Sequence, residues 1–573
     1  MNSLVIVIIG LAWFYLAYRF YGNFIQHRLV KPDDSRPTPA HVMQDNVDFM
    51  PAKPVFLLGH HFASIAGAGP IIGPILAVSY FGWGPTTLWI TLGCVLLGGV
   101  HDYLSLMLSV RNKGQGIAEI AGLAISRKTR FVFAVLLWLT LVFIITVFAV
   151  SAANALVSKP ELVIPTVGVC FLAIGLGLAV YRFQVNTIAA AIIAVILAYG
   201  LIWWGFHCPV SLPAWFGSSR EHVLWMITLL FVYCIIASLL PVWLMLLPRD
   251  FISAVQLFVG IALGITGLLI IHPQFSAPMS LGGFVVDNKP IWPILFITVA
   301  CGAISGFHTM VATGTTSKQL DKESDGKVIG FGGMILEGVL AFLVVMFVST
   351  GLKWGNAPAG MPLEQAALYF HNALAQSWII AFGTGFGNIV GRAGIPGLGP
   401  AAACLLGAVM VKIFVMTSLD TSTRLGRFVF AETLAKDIPF LRNRVIATLI
   451  LLVPAYILAL TNSYGNIWKM FGASNQLIAA VALLAISAYL AGKKRPIFFT
   501  LIPSVFMALT TLTALLWDTF NPNNGYFTSS ETNITLGIIA VVLMLLGVFV
   551  SIDGLMAIKA YYSKQRNLTL KAP

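Results

Sequence analysis

The hydrophobic pattern of this chain consists of long apolar runs separated by short polar segments. A bilayer core of about 30 Å needs roughly 20 apolar residues per helix, and runs of that length recur along the whole chain. The pattern predicts an all-α polytopic membrane protein with about fifteen transmembrane helices. The predicted spans lie near 2–20, 55–79, 86–110, 131–156, 163–181, 185–206, 223–246, 251–272, 291–315, 329–352, 399–423, 443–461, 467–491, 497–517 and 534–558.

A further apolar run, 365–390, is predicted not to cross the membrane. It opens as an amphipathic stretch, and the glycines from Gly383 to Gly397 are expected to break its second half. If the run crossed, every basic loop after it would face outward, against the preference of Lys and Arg for the cytoplasmic side. We therefore expect an external hairpin here, with the N-terminus of the chain outside and the C-terminus in the cytoplasm.

The composition agrees with a membrane protein and excludes a soluble one. Hydrophobic residues make up 58% of the chain and charged residues 10%, against about 25% charged in soluble domains. The 34 Lys plus Arg exceed the 21 Asp plus Glu, for a formal charge of +13. Because most basic residues fall in predicted cytoplasmic loops, the excess reflects topology and does not indicate a nucleic-acid partner. We expect a single transmembrane transport domain, 1–573.

Two of the predicted spans are interrupted at mid-membrane by small residues. The first contains Gly67-Ala68-Gly69-Pro70, and the second contains the run from Gly302 to Gly306. Unwound backbone is tolerated at membrane depth only where protein or a watery cavity satisfies it. A matched pair of such segments indicates the substrate site of a transporter, although glycines also permit close helix packing.

The order of elements around these two spans predicts an inverted repeat. In the predicted topology the two interrupted spans run in opposite directions, and each precedes one full span, a surface segment and three more spans. The first repeat is 55–206 and the second is 291–491. The helix pair 223–272 is inserted between them, and 497–558 forms accessory C-terminal helices.

Several motifs closely resemble the carbon starvation protein A (CstA) family. The resemblance rests on His61-Phe62-Ala63-Ser64-Ile65-Ala66-Gly67-Ala68-Gly69-Pro70, Gly302 through Thr316, Leu419-Asp420-Thr421-Ser422-Thr423-Arg424 and Phe471-Gly472-Ala473-Ser474-Asn475-Gln476-Leu477. It implies a transporter of the bacterial inner membrane with LeuT-like architecture, which takes up peptides or, in some members, pyruvate, coupled to protons. An enzyme is not expected, since the chain has neither a GxSxG elbow nor an HExxH helix, and no cofactor is expected.

Residues beside the two interruptions are the candidates for substrate binding. Backbone N–H groups at half-helix N-termini attract a carboxylate, which suits pyruvate or a peptide C-terminus. The histidines are alternatively packing residues, or metal ligands together with Asp102; no ligand spacing supports a metal, and none is expected. The substrate-binding candidates are His61, Ser64, Gly67, Ala68, Gly69, Ser305, Gly306 and His308.

Asp102 is the candidate proton carrier. It lies inside a span with no basic residue in the four positions before it, and ionisable residues in spans are usually functional. Its neighbour His101 is expected to point to a different face of the helix. The alternative for Asp102 is an ion pair or cap to a neighbouring helix. Glu337 has the same ambiguity, with a gating or packing role as its alternative.

A hydroxyl-rich segment near 417–424 is the second candidate for ion coupling. By resemblance to LeuT-like proteins, its side chains would bind sodium or take part in the proton-coupled replacement of that site. Asp420 and Arg424 alternatively pair with each other, being four apart on one helical face. Lys412 either supplies a positive charge in place of sodium or snorkels outward. The candidates for ion or proton coupling here are Thr417, Ser418, Asp420, Thr421 and Lys412.

These observations predict a secondary active transporter that imports small peptides, or pyruvate, by alternating access around two broken helices. The coupling ion is H+ or, alternatively, Na+. The expected partners are the substrate and membrane lipids, and the oligomeric state is left open. Two alternatives are a nutrient receptor or sensor without net transport and a sodium-coupled symporter of the amino-acid type. Asn475 and Gln476 are expected to hold helices together rather than touch substrate.

Overall fold

The computed structural model describes residues 2–45, 48–241, 243–435, 438–461, 464–529 and 532–569. Thirteen helices within these ranges are long and apolar enough to cross a membrane. This confirms an all-α polytopic membrane protein. The helices are Ser3–Val30, Trp83–Arg111, Arg127–Ser158, Pro160–Arg182, Thr187–His207, Ser219–Leu239, Leu246–Ile271, Glu323–Gly351, Pro400–Val429, Arg444–Thr461, Gly465–Gly492, Phe498–Phe520 and Ile534–Ser563.

Polar residues at the helix starts explain where several of these helices begin. Ser126 accepts a hydrogen bond from the backbone N–H of Thr129, and Asn186 accepts from the N–H groups of Ile188 and Ala189. Ser218 and Glu221 form a capping box. Such caps satisfy backbone donors that have no partner inside the helix.

The first interrupted span is a bent pair of helices, Pro54–Ile65 and Gly69–Phe81, at 44° to each other. We call this pair the first broken helix. Counted as one span, it raises the number of spans to fourteen. The chain between the two halves leaves the helical path at Ala66, whose ψ is 46°.

The second interrupted span consists of Ile291–Thr298 and Gly306–Gly314, which we call the second broken helix. Residues 299–305 between the halves are not helical. At 1.5 Å per residue each half is only about 12 to 14 Å long. The predicted span 291–315 is therefore two short helices, as its interruption predicts, and the expected count of about fifteen spans is not confirmed.

The run 365–390 differs from its prediction in one respect. The glycines do not break it, since Trp378–Val390 is a continuous, buried helix. Gly383 and Gly385 instead allow close packing: a Cβ atom added there would lie 2.9 Å from the carbonyl oxygen of Cys404 and 2.8 Å from that of Phe347. The helix is about 20 Å long, shorter than the bilayer core.

The most buried long helices form the centre of the protein. They are Trp83–Arg111, Arg127–Ser158, Glu323–Gly351, Pro400–Val429 and Gly465–Gly492. The inserted pair, Ser219–Leu239 and Leu246–Ile271, is much more exposed, as are Phe498–Phe520 and Ile534–Ser563. Both broken helices pack against helices of this buried group.

Short elements connect the long helices. Two antiparallel strands pair Val285 with Pro290 and Val286 with Lys289. The described cysteines are free, and Cys208 is exposed. The other short helices are Pro39–Val42, Ile117–Ala124, Ala214–Phe216, Thr316–Lys318, Leu363–Ala366, Phe370–Gln376 and Pro439–Arg442.

Candidate functional site

The two breaks lie side by side in the centre of the protein. A Cβ atom added at Gly69 would lie 2.4 Å from Sγ of Cys301, and one added at Gly73 would lie 2.6 Å from the carbonyl oxygen of Thr298. These approaches are possible only for glycine. The sequence-predicted pairing of the two interruptions is therefore a physical contact.

A carboxylate–histidine cluster connects the second broken helix to two neighbouring helices. We define it as His101, Asp102, His308 and Glu337, all fully buried. Nδ1 of His101 lies 2.7 Å from Oδ1 of Asp102, and Nδ1 of His308 lies 2.8 Å from Oδ2. Nε2 of His308 lies 3.0 Å from Oε2 of Glu337. One imidazole thus stands between two carboxyl groups.

This cluster joins two residues that the sequence pattern assigns to different roles. His308 is a candidate for substrate and Asp102 for the proton, yet their side chains are in contact. The expectation that His101 points away from Asp102 is wrong, because its ring folds back onto the carboxylate. His101 and Glu337 are visible in the sequence as ionisable residues in spans, but no spacing there indicates a partner for either.

The hydroxyl side chains of Ser64 and Ser418 lie at the first break, and Thr421 follows Ser418 on the same helix. A Cβ atom at Gly67 would lie 2.3 Å from Oγ of Ser418, so the two residues are in direct contact. The hydroxyl oxygens of Ser64, Ser418 and Thr421 are buried and make no hydrogen bond within the described chain. Hydroxyl oxygens of this kind can bind a cation. Thr417 instead donates to the carbonyl oxygen of Ile413, at 3.2 Å.

Asp420 belongs to a different cluster from the hydroxyl group. Its Oδ2 accepts hydrogen bonds from Nη1 of Arg249 and, at 2.7 Å, from Oη of Tyr233. Arg424 donates instead to the backbone carbonyls of Ala237 and Leu240. The alternative that Asp420 pairs with Arg424 is therefore wrong.

Arg249 is a functional candidate that sequence reasoning missed. The predicted topology places it in a cytoplasmic loop, but it lies inside the helix Leu246–Ile271 with 1% of its surface exposed. Its neighbour Asp250 contacts Nδ1 of His60 at 3.1 Å. The pair Arg249-Asp250 thus links Asp420 to the first broken helix. In the sequence, two adjacent charged residues in an apolar run were the signal that could have identified Arg249.

His61 and Lys412 occupy separate buried positions. Nδ1 of His61 lies 2.8 Å from Oγ1 of Thr316, just beyond the second broken helix. Lys412 is fully buried, and its Nζ makes no hydrogen bond with the described residues. It therefore does not snorkel outward.

Asn475 fixes the start of the second half of the second broken helix, Gly306–Gly314. Its Oδ1 accepts from the backbone N–H of Phe307 at 2.8 Å, and its Nδ2 donates to Oγ of Ser305 at 3.1 Å. A Cβ atom at Gly306 would lie 2.4 Å from the carbonyl oxygen of Asn475. The expectation that Asn475 holds helices together is confirmed, and Ser305 and Gly306 are occupied by this contact.

Replacing Asn475 by alanine is expected to destabilise the protein by about 1 to 3 kcal/mol, because a buried N–H group and a buried hydroxyl lose their partner. The measurement is the free energy of unfolding of the purified protein in detergent. Asn523→Ala, at an exposed loop position, is the control and should leave that free energy unchanged. Equal stability of the two variants would contradict the capping role of Asn475.

Two cavities lie near the broken helices. One, of about 380 Å³, is largely apolar and reaches His60 but none of the clusters above. The other, of about 130 Å³, lies against both broken helices at Leu76 and Thr298 and also touches Lys289 and Lys469. The smaller cavity is therefore the one that borders the region of the two breaks.

One group of described side chains has the donor types of a metal site. Ligand atoms of Cys301, His308 and Glu337 lie within 4.8 Å of one another. However, Sγ of Cys301 already contacts Oγ of Ser305 at 3.4 Å and Nδ2 of Asn475 at 3.6 Å. Because Cys301 is engaged in these contacts, we do not assign this group to a metal.

Comparison with known proteins gives a match over most of the chain. Residues 2–514 match the family described as carbon starvation protein CstA. The peptide transporter CstA of Bacillus subtilis is 30% identical, covering 96% of this chain and 95% of the relative. The peptide transporter CstA of Escherichia coli is 31% identical over 91% of this chain and 82% of its own.

Two further similarities complete the comparison. The pyruvate/proton symporter BtsT of Escherichia coli is 29% identical, covering 92% of this chain and 83% of the relative. Among solved structures, a manganese transporter of Eremococcus coleocola aligns with 89% of this chain and 95% of its own, at 13% identity and a TM-score of 0.44.

Proposed function

This chain belongs to the carbon starvation protein CstA family, and from that premise we propose that it imports small peptides, or pyruvate, in symport with protons. It is a multi-pass membrane transporter of small molecules and not an enzyme. Both substrate classes are taken from the names of the relatives: peptides from the CstA proteins and pyruvate from BtsT. The observation that carries the proposal is the contact between the two breaks in the buried centre.

The uncapped half-helix at the first break is the proposed anchor for a substrate carboxylate. No side chain caps the start of Gly69–Phe81 in the described structure, whereas Asn475 caps the start of Gly306–Gly314. A helix N-terminus without a cap leaves N–H groups for an anion. The N–H of Gly67 already donates to the carbonyl oxygen of Ile65 at 2.8 Å. We therefore assign the carboxylate to the N–H groups of Ala68 and Gly69, beside Gly67, and not to Ser305 and Gly306.

The coupling site in this proposal is the carboxylate–histidine cluster. It attaches to the second broken helix through His308, so a change in its protonation acts on a helix that borders the substrate. Alternating access then consists of movement of the two broken helices against the surrounding core. The N-terminus is outside and the C-terminus cytoplasmic in the same proposal, with the protein in the bacterial inner membrane.

The test is uptake of a labelled dipeptide or labelled pyruvate into proteoliposomes. An imposed proton gradient, acidic outside, is expected to drive accumulation above the external concentration, because inward proton flow supplies the free energy. A sodium gradient of the same size is the matched comparison. Sodium is the alternative because the hydroxyl oxygens of Ser64, Ser418 and Thr421 are buried without a hydrogen bond in the described chain and could bind a cation.

Three other outcomes have distinct meanings. Accumulation under sodium alone would replace the proton by sodium as the coupling ion. Saturable binding without uptake would identify a receptor. Absence of both binding and uptake for peptide and pyruvate would overturn the proposed function.

A further inference from the structure

We propose that Glu337, with His308 as its proton-sharing partner, is the side chain that gains and loses the coupled proton, while Asp102 stays ionised and positions His308. The inference rests on the proposed function and names the member of the carboxylate–histidine cluster that carries the proton. It moves this role from Asp102, the sequence-based candidate, to a residue for which the sequence leaves a gating or packing role open.

The two carboxyl groups of the cluster have opposite hydrogen-bonding environments. Each oxygen of Asp102 lies within 2.8 Å of a histidine Nδ1. Neither oxygen of Glu337 receives a hydrogen bond within the described chain, and the side chain is fully buried. A buried carboxylate is stable only when donors or a charge satisfy it. The two histidine Nδ1 atoms stabilise Asp102 as an anion. Glu337 receives no such hydrogen bond, so its stable buried form is the neutral, protonated one.

The contact between His308 and Glu337 gives the proton a second position. Nε2 and Oε2 are 3.0 Å apart, which is an ion-pair distance, although the geometry of a hydrogen bond is not met. Because Nδ1 of His308 faces Asp102, only Nε2 is available to exchange a proton with Glu337. Once one proton has left the cluster, a small rotation of either side chain completes the hydrogen bond, and Nε2 and Oε2 can share the proton that remains.

Charge balance explains why one proton can be coupled to movement. With Asp102 ionised, His308 doubly protonated and Glu337 protonated, these three side chains are neutral together, as a buried site requires. Loss of one proton leaves a net negative charge, which is stable only when water reaches the cluster. Release of the proton is therefore tied to opening of the site.

The neighbouring groups do not supply another cation to Glu337. Around it, the helices Trp83–Arg111 and Pro54–Ile65 and the segment 299–305 contribute a second carboxylate, two further histidines and two thiols. Nε2 of His101 is engaged by Oγ1 of Thr309 at 2.7 Å. The titratable residues facing the cluster are Cys94, His101, Asp102, His61, Cys301 and His308.

The deciding experiment is infrared difference spectroscopy of the purified protein in lipid, between mildly acidic and mildly alkaline buffer. The wild type is expected to show a carbonyl band of a protonated carboxyl group that disappears on alkalinisation. Glu337→Gln should lack this band, and Asp102→Asn should retain it at a shifted midpoint. Glu119→Gln removes a carboxyl group that is one-third exposed and paired with Arg130, and it should leave the band unchanged.

Transport assays supply the second readout. Glu337→Gln is expected to lose accumulation driven by a proton gradient while retaining exchange of labelled for unlabelled substrate, because exchange needs no net proton movement. Glu337→Asp keeps a carboxyl group, so it should retain the band and recover part of the accumulation. If Glu337→Gln does not fold, Glu337→Asp still tests the inference through the midpoint of its infrared band and its accumulation of substrate.

The outcomes separate this inference from the proposed function. A band kept in Glu337→Gln and lost in Asp102→Asn would overturn the inference and return the proton to Asp102. Stoichiometric zinc in the wild type, lost in Glu337→Gln, would also overturn it. If the wild type transports neither substrate, the proposed function fails, while the infrared titration still decides which side chain holds the proton.

Discussion

Arg249→Met is expected to cost about 3 to 5 kcal/mol of folding free energy, the cost of removing one partner of a buried ion pair. Arg249 is the hydrogen-bond donor to Asp420 and to Oη of Tyr233, and its Nη2 lies 3.7 Å from Asp250. Without the guanidinium, two carboxylates remain buried with little compensation. The measurement is unfolding of the purified protein in detergent.

Two further variants test the physical reason for this loss. Arg249→Met combined with Asp420→Leu replaces the pair with apolar side chains, and it should recover most of the lost stability. Arg36→Met removes an arginine that is 62% exposed and pairs with Asp33, at a cost of at most about 1 kcal/mol. If the Arg249 and Arg36 variants unfold alike, the ion pair to Asp420 does not stabilise the protein.

Gly67→Ala is expected to abolish substrate uptake and exchange, which is the second large effect. The added methyl group would lie 2.3 Å from Oγ of Ser418 and 3.0 Å from its Cβ. The backbone of Gly67 is outside the left-handed region, so the penalty is steric and local. The methyl group would occupy the space between the first break and Ser418, beside the backbone where we place the substrate carboxylate.

The control for this prediction is another helical glycine. A Cβ atom at Gly175, in the helix Val163–Gly177, would have no neighbour within 4 Å, so Gly175→Ala should transport normally. Gly67→Ala combined with Ser418→Ala removes the closest contact and should restore protein stability without restoring uptake. Wild-type uptake by Gly67→Ala would show that the first break does not contact the transport pathway.

Hydropathy predicted most of the fold because a bilayer imposes a local rule. Each long apolar run must form a helix that satisfies its own backbone groups. The predicted span 131–156, for example, is the helix Arg127–Ser158, extended at its start by the cap at Ser126. The prediction was wrong at 378–390, where glycine was interpreted as a helix breaker but lies in a continuous helix and serves close packing against neighbouring helices.

The candidate site was only partly predictable from the sequence. The small residues at both breaks identified where the helices are interrupted, and the ionisable residues within spans indicated Asp102, His308 and Asp420. Partners were not predictable, because Asp102 and His308 are 206 residues apart and Arg249 and Asp420 are 171 apart. Among residues assigned to one coupling site, Ser418 lies at the first break, while Asp420 contacts the inserted pair.

The sequence by itself determined that this protein crosses a membrane many times, where two of its helices are interrupted and that Asp102, His308 and Asp420 lie inside apolar spans. These properties depend on composition and spacing along the chain, since the bilayer requires apolar helices of a fixed length. Only the tertiary structure decided that His308 lies between two carboxyl groups and that Arg249 neutralises Asp420. Spans that are apolar on every face do not indicate which neighbour they meet, so the pairing of their few charges is set by packing.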